Sequence, residues 1–158
     1  MQDDYDLLAS RAIEPVFYRA PFPDGTYKPM PFQHAGVEYR ITREHALIGD
    51  DPGLGKTCQA VLFANAIEAT SNLVVCPASL VLNWEREIWR WSILENVSTY
   101  PILKSTNGVS PYANYTIVSY DRLRNAHVLE ARMARRWQDA IFHGAQALKD
   151  PKWNKRTN

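Results

Sequence analysis

The sequence predicts an α/β fold in which helices flank a mostly parallel β-sheet. Short β-branched runs, typical of buried strands, alternate with longer stretches of helical spacing along most of the chain. In addition, a glycine-containing loop stands between an apolar run and a helix, as in a strand–loop–helix unit. The length of 158 residues fits one domain or a piece of a larger protein.

The composition excludes several classes of protein. Apolar residues make up 46% and charged residues 22% of the chain, which is ordinary globular usage and argues against disorder. No apolar run approaches the ~18 residues of a membrane span, and the acidic N-terminus is unlike a secretory signal. Because Cys58 and Cys76 are the only cysteines, a disulfide framework is excluded and a reducing compartment is expected.

The net charge of +1 conceals an uneven distribution. Residues 1–121 carry nine Lys and Arg against fourteen Asp and Glu, a balance of −5, whereas residues 122–158 carry nine against three, a balance of +6. This basic region, with Trp137 and Trp153, could contact nucleic-acid phosphates. Charge alone slightly favours the alternative of a solvated helix face followed by a frayed tail.

The first 31 residues are predicted to form a Pro-rich arm. Half of the ten prolines lie there, so this stretch cannot hold a long helix, and its PDGT turn favours a hairpin or an irregular arm. After the arm, the roughly helical spacing of Phe32, Ala35, Val37 and Tyr39 predicts a helix. The apolar run ALIG that follows predicts a strand ending at Gly49.

The rest of the chain alternates between predicted helices and strands. CQAVLFANAIEA indicates a helix, NLVVC a buried strand, and Ser79 could cap a helix that runs through LVLNWEREIWRW. VSTYPILK and NYTIVSY predict two more strands, and DRLRNAHVLEARMARRW a basic helical stretch or pair of turns. QDAIFH is the last predicted strand, before a polar ending.

The strongest functional signal is the segment ALIGDDPGLGKT. Gly53 and Gly55 would let the backbone approach a polyphosphate, and the N-terminus of the following helix favours an anion. Lys56 would contact the β- and γ-phosphates of a nucleotide, and Thr57 would offer its hydroxyl to Mg²⁺. Asp50 stands where the strict G-x-x-x-x-G-K-[ST] pattern has its first glycine, and a glycine-rich turn without a ligand is the alternative.

GDDPGLGKT closely resembles motif I, D-E-x-G-L-G-K-T, of the Swi/Snf-type (Snf-two) ATPases of helicase superfamily two. PFQHAGVEY, LVVCPASLVLNWEREI and YTIVSYDRLR resemble further segments of that family in the matching order, so the resemblance covers roughly residues 31–152. The spacing is most similar to that of bacterial or phage members, and also to the annealing-helicase branch. The resemblance implies that residues 32–158 form an incomplete RecA-like lobe, the first of two that clamp ATP and move on double-stranded DNA.

The same resemblance implies roles for individual residues. Gln33 would read the adenine of ATP, Ser79 would contact the DNA backbone, and Ser119 and Tyr120 are weaker candidates for DNA contacts. The implied nucleotide-binding residues are Gln33, Asp50, Gly53, Leu54, Gly55, Lys56 and Thr57. Two of the candidate site residues also have a purely structural alternative. Gln33 could be a solvated helix residue, and Tyr120 could be a core aromatic.

The next family motif, Asp-Glu-Ala-His or Asp-Glu-Ala-Gln, is altered in this chain. ALKDPK resembles the family's A-L-K-N-P and sets the register, so that His143 and Gly144 stand in the positions of the Asp and the Glu. The Asp would hold Mg²⁺ and the Glu would orient the attacking water. Histidine is a poor ligand for Mg²⁺, glycine has no side chain, and Asp139 stands four residues too early to replace either.

Two functions therefore remain open, beside the weaker alternative of an independent ATPase that hydrolyses ATP through substitute groups. The chain is either a nucleotide-binding first lobe of a DNA translocase, which binds Mg²⁺ and ATP but needs a second lobe, or a catalytically inactive RecA-like module. Such a module would bind nucleic acid or a protein partner through residues 122–158, and no membrane partner is expected in either case. We predict that the chain alone hydrolyses ATP only at the background rate. The expected location is the cytoplasm of a bacterial or phage-infected cell, or the nucleus if the source is eukaryotic.

Overall fold

The structure is a computed structural model, which describes residues 29–49, 53–103, 110, 112–124 and 134–144. Most of the predicted Pro-rich arm and the polar ending lie outside these residues, as does the middle of the predicted basic stretch. The division of the chain at residues 31 and 32 stays a prediction, although the first described helix begins at Pro31.

Helices and strands are interspersed along the described residues, but two helices come first with no strand between them, and two strands follow each other before the last helix. Proline suits the first helical position because its missing N–H has no partner inside the helix there. The elements are α1 Pro31–Ile41, α2 Lys56–Ala66, β1 Asn72–Cys76, a 3₁₀ turn Ala78–Leu80, α3 Val81–Trp91, β2 Thr99–Pro101, β3 Tyr115–Ser119, α4 Tyr120–Leu123 and β4 Asp139–Phe142. No helix among the described residues is long and apolar enough to cross a membrane.

The four described strands form one parallel sheet in the order β2-β3-β1-β4. Val74 of β1 lies opposite Ile117 of β3 on one side and Ile141 of β4 on the other. The inner strands β1 and β3 are buried along their whole length, which explains why their sequences are mostly apolar and do not alternate with polar residues. This arrangement confirms the predicted α/β class.

The hydrophobic core lies on both faces of the sheet because successive strand residues point to opposite sides. Val74 and Ile117 contribute to the larger cluster, together with residues of α2 and α3 such as Leu62 and Trp84. The smaller cluster on the other face is formed by Leu73, Val75, Val118 and Tyr120.

The predicted strand ending at Gly49 is wrong. Residues 46–49 belong to no strand of the described sheet, and the Leu47 side chain is 82% exposed. A strand is stable only when its backbone N–H and C=O groups pair with a neighbouring strand. In the described sheet β4 pairs with β1 alone, and the ALIG run joins neither of them.

The predicted helix cap at Ser79 is also wrong. The chain leaves β1 through the 3₁₀ turn, in which the Leu80 N–H donates to the Pro77 carbonyl over 2.9 Å. Ser79 lies inside this turn, so that Leu80 takes the N-cap position of α3. A serine cap does occur at α4, where the Ser119 hydroxyl accepts the N–H of Arg122 over 3.3 Å.

Candidate functional site

The glycine-containing loop leads into α2 with an unusual backbone. Gly53 and Gly55 have φ angles of +88° and +72°, in the left-handed region that residues with a β-carbon rarely adopt. Gly55 is the N-cap residue and has no side chain with which to cap the first N–H groups of α2. Lys56 and Thr57 occupy the first turn and are half-buried, whereas Asp50 lies outside the described residues.

Gln33 of α1 lies against this loop. Its Oε1 accepts the N–H of Met30 over 2.8 Å, and its Nε2 donates to the Leu54 carbonyl over 3.2 Å. The residue is buried, so the alternative of a solvated helix residue is wrong. A β-carbon at Gly55 would collide with the Gln33 amide nitrogen, which means that this close approach requires glycine.

His143 lies at the carboxyl end of β4, where it meets both β1 and α3. Its N–H donates to the Val75 carbonyl over 2.8 Å, and its ring meets the Trp84 ring edge-on with centroids 5.7 Å apart. Burial lowers the pKa of His143, and the nearby Lys56 ammonium lowers it further. His143 therefore lies within electrostatic range of Lys56, and both effects favour the neutral imidazole. Gly144 follows with a left-handed φ of +73°.

Asp139 occupies the other end of the same strand. It is the first residue of β4, and four residues at roughly 3.3 Å each separate it from His143 by about 13 Å. Its carboxylate is buried and lies 3.3 Å from the guanidinium of Arg40. Asp139 is therefore too far along β4 to act beside Lys56, as the sequence predicted. Among the described residues, no group of three His, Cys, Asp or Glu side chains could hold a metal ion.

The three predicted DNA-contacting residues lie in different environments. Ser79 is exposed on the turn after β1. The Ser119 hydroxyl is buried and caps α4. Tyr120 is also buried, in agreement with its structural alternative, and its hydroxyl donates to the His143 carbonyl over 3.0 Å. Of the three side chains, only that of Ser79 faces solvent.

Two further groups of residues bear on the site. Cys58 and Cys76 are buried free thiols, and burial raises the pKa of each to about 12, so neither is a ready nucleophile.

Sequence reasoning missed Trp84 as a neighbour of His143 and Arg40 as a partner of Asp139. No local signal could have found the second contact, because it joins residues 99 positions apart.

Comparison with known proteins finds one matching family and similar proteins of known sequence. The family described as "SNF2-related domain" matches residues 32–157. "Protein CHROMATIN REMODELING 19" of Arabidopsis thaliana is 31% identical over 156 residues, which cover 80% of this chain and 20% of that protein. "SWI/SNF-related matrix-associated actin-dependent regulator of chromatin subfamily A-like protein 1" of Xenopus tropicalis is 30% identical over 125 residues, which cover 78% and 13%.

A solved structure supports the same architecture. The chain from "Sulfolobus solfataricus SWI2/SNF2 ATPase core in complex with dsDNA" matches with a TM-score of 0.63 and 24% identity, over 89% of this chain and 29% of that one. This match confirms the predicted RecA-like lobe. The two curated relatives are eukaryotic and do not support the predicted likeness to bacterial or phage members. The chain spans a fifth or less of their length.

Proposed function

The chain belongs to the SNF2-related domain family, and we propose that it is the ATP-binding first lobe of a DNA translocase whose catalytic carboxylates have been replaced. The observation that carries this proposal is the position of Lys56. It lies in the first turn of α2, directly after two left-handed glycines, and close enough to His143 to lower the pKa of the imidazole. Both the activity and the partners of a whole translocase belong to the proposal.

The loop and the first turn of α2 would hold the phosphates of ATP. A left-handed glycine backbone before an N-terminus without a side-chain cap fits a polyphosphate, because backbone N–H groups converge there. Lys56 would contact the β- and γ-phosphates, and Thr57 would offer its hydroxyl to Mg²⁺. The metal ion would neutralise part of the phosphate charge.

Gln33 would read the adenine base with the part of its amide that the protein leaves available. A glutamine amide has two N–H donors and two acceptor lone pairs. Met30 uses one lone pair and Leu54 one N–H, whereas the Cys58 thiol is a weak donor 3.8 Å away. The remaining donor and acceptor complement the N7 acceptor and the N6 amino donor on one edge of adenine.

Hydrolysis by the chain alone is expected to remain at background. His143 offers a neutral imidazole where a carboxylate would bind Mg²⁺, and Gly144 has no group to orient water. A second RecA-like lobe would supply an arginine finger, which is worth roughly 10³–10⁵ in rate. Both the metal ligand and the finger must be provided before turnover becomes fast.

A titration with a fluorescent ATP analogue, with and without Mg²⁺, tests nucleotide binding. We expect micromolar binding that Lys56→Ala weakens at least tenfold. Arg86→Ala is the matched control, since it removes an exposed cation on α3. Absence of binding at high micromolar nucleotide would exclude the proposed function.

A reconstitution tests the account of catalysis. The double substitution His143→Asp with Gly144→Glu should raise ATP hydrolysis only when a second lobe is supplied in trans. Steady-state phosphate release is the measurement, and an added Lys56→Ala should abolish it. Robust hydrolysis by the unaltered chain alone would contradict the account.

Double-stranded DNA is the proposed polymer partner. The related Sulfolobus core was solved in complex with dsDNA, and the exposed hydroxyl of Ser79 follows the carboxyl end of β1. Serine hydroxyls are common donors to phosphate oxygens. The proposed location is the cytoplasm, or the nucleus if the source is eukaryotic.

A catalytically inactive module that binds nucleic acid or a protein is the second candidate, favoured by the replaced carboxylates and the basic residues 122–158. Their described arginines differ in availability. Arg135 donates to two backbone carbonyls and stacks on Trp137, whereas Arg136 is exposed. Anisotropy of a labelled duplex at 50 and 200 mM salt separates the partners, because binding to phosphates weakens steeply with salt. No binding at low salt would leave a protein partner.

A further inference from the structure

Arg40, near the end of α1, forms a cluster that the proposed nucleotide chemistry does not use. Its Nη2 donates to Asp139 Oδ1 over 3.3 Å. Its Nη1 donates to the carbonyls of Arg43 and Glu44 over 2.8 and 3.0 Å. The guanidinium also stacks over the Phe63 ring, 4.3 Å from its centroid. One side chain thus joins α1, the turn after it, α2 and β4.

This cluster differs from an ordinary surface ion pair. The Asp139 side chain is 3% exposed and that of Arg40 20% exposed. A buried carboxylate needs a partner, because an unpaired charge in the interior is strongly destabilising. The planar fork of arginine meets the carboxylate and the two carbonyls at the same time, which a lysine ammonium would do less well.

Arg40 and Gln33 lie on the same side of α1, since seven residues make two helical turns. Between them, Gly36 lies against Gln59 of α2, and a β-carbon at Gly36 would collide with the Gln59 amide. Farther along, Arg40 meets Phe63, which is one turn beyond Gln59 on α2. Contacts of α1 with α2 therefore extend from the glycine loop to the Arg40 cluster.

We propose that Arg40 is a positioning residue for nucleobase recognition: by holding the far end of α1 to Asp139 and Phe63, it sets the position of Gln33 at the glycine loop. The proposal rests on the proposed nucleotide-binding function. The Gln33 amide meets the Leu54 carbonyl at 3.2 Å, near the outer limit of a good N–H···O bond. A shift of α1 by a fraction of an ångström along α2 would therefore misplace the amide. Lys56 and Thr57 belong to α2 and would keep their positions.

The test compares a ligand with the base and one without it. Dissociation constants of the whole chain for ATP and for inorganic tripolyphosphate, both with Mg²⁺, are measured for the parent and for Arg40→Met. The substitution should weaken ATP binding about tenfold, the scale of one hydrogen bond, and leave tripolyphosphate binding within about twofold. Arg40→Lys should recover part of the loss, since lysine can still pair with Asp139.

A matched control comes from the same turn. Arg43→Met removes an exposed cation that stacks on Tyr39 but keeps the carbonyl that Arg40 uses, so it should change neither constant. If Arg40→Met does not fold, Arg40→Met with Asp139→Asn removes the unpaired charge and serves for the same comparison.

The two proposals fail in different ways. A parent chain that binds ATP, combined with an unchanged ATP dissociation constant in the variant, would overturn the role of Arg40 alone. An equal loss for both ligands would also overturn it, because the effect would then be general to the fold. A parent that binds neither ligand would overturn the proposed function and this role with it.

Discussion

Replacing Arg40 by Met should destabilise the fold in a strongly pH-dependent way. Burial raises the pKa of Asp139, and the Arg40 guanidinium acts against this increase. In the variant, the buried carboxylate either stays charged without its partner or takes up a proton. Breaking a buried ion pair by removing one partner typically costs roughly 3–5 kcal/mol.

Proton uptake sets an upper limit to this cost. Protonating a carboxyl with an ordinary pKa of about 3.9 at pH 7 costs about 1.4 kcal/mol for each of roughly three pH units, or about 4 kcal/mol. Because the folded-state pKa of Asp139 is raised, protonation of this carboxyl favours the folded state. This contribution to stability is fully present below the unfolded-state pKa. That contribution is lost as the pH rises through the folded-state pKa. The difference between variant and parent should fall from at most about 4 kcal/mol at pH 7, a value that the raised pKa of Asp139 in the parent reduces, to about 1 kcal/mol near pH 4.

Urea unfolding followed by tryptophan fluorescence at several pH values between 4 and 7 measures this difference. Arg43→Met, which alters an exposed side chain, should change the free energy of unfolding by less than about 0.5 kcal/mol throughout. Adding Asp139→Asn to Arg40→Met should remove most of the pH dependence. A loss that is equal at pH 4 and pH 7 would refute the reasoning, since a buried charge could not then be its cause.

Three further substitutions have defined outcomes. Gly55→Ala should cost about 1–2 kcal/mol of stability from its left-handed φ and weaken ATP binding by displacing Gln33; Gly49→Ala is the control, because a β-carbon there meets nothing within 4 Å. His143→Phe should make the fold lose less stability than the parent on acidification. The lowered pKa of His143 contributes stability that is present above the unfolded-state pKa near 6.5 and is lost as pH falls through the folded-state pKa. Thermal unfolding at pH 5 and 7.5 measures it, and parallel curves for variant and parent would contradict it. Tyr120→Phe should cost about 1 kcal/mol in urea unfolding by removing the bond to the His143 carbonyl, and an unchanged midpoint would show that this bond contributes nothing.

Most of the sheet could be predicted from local sequence. The runs in β1 and β3 are mostly apolar and β-branched because both strands are buried on two faces, and a run of that kind indicates such burial. The ALIG run was equally apolar, yet no strand forms there in the described residues. Strand formation requires a neighbour with open backbone groups, and a local pattern contains no information about that neighbour.

The candidate site, like the sheet, could be predicted from the sequence only in part. The glycines of the loop and Lys56 after them could be predicted from spacing alone, since the loop chemistry depends on consecutive residues. The importance of positions 143 and 144 came from the family resemblance, which sets their register. The cap predicted at Ser79 failed because a 3₁₀ turn intervenes before α3 and moves the helix start. Buried hydroxyls at Ser119 and Tyr120 likewise depend on packing that spacing does not reveal.

By itself, the sequence determined the α/β class, the glycine loop before α2 and the absence of carboxylates at residues 143 and 144. Only the tertiary structure decided that Gln33 meets the loop, that Tyr120 bonds to His143, and that Arg40 meets Asp139 across 99 residues. Local patterns follow from the chemistry of neighbouring residues, which helical and strand periodicity expresses directly. These three contacts follow from how α1 and α4 pack against their neighbours and against β4 of the sheet, and packing is a property of the whole fold.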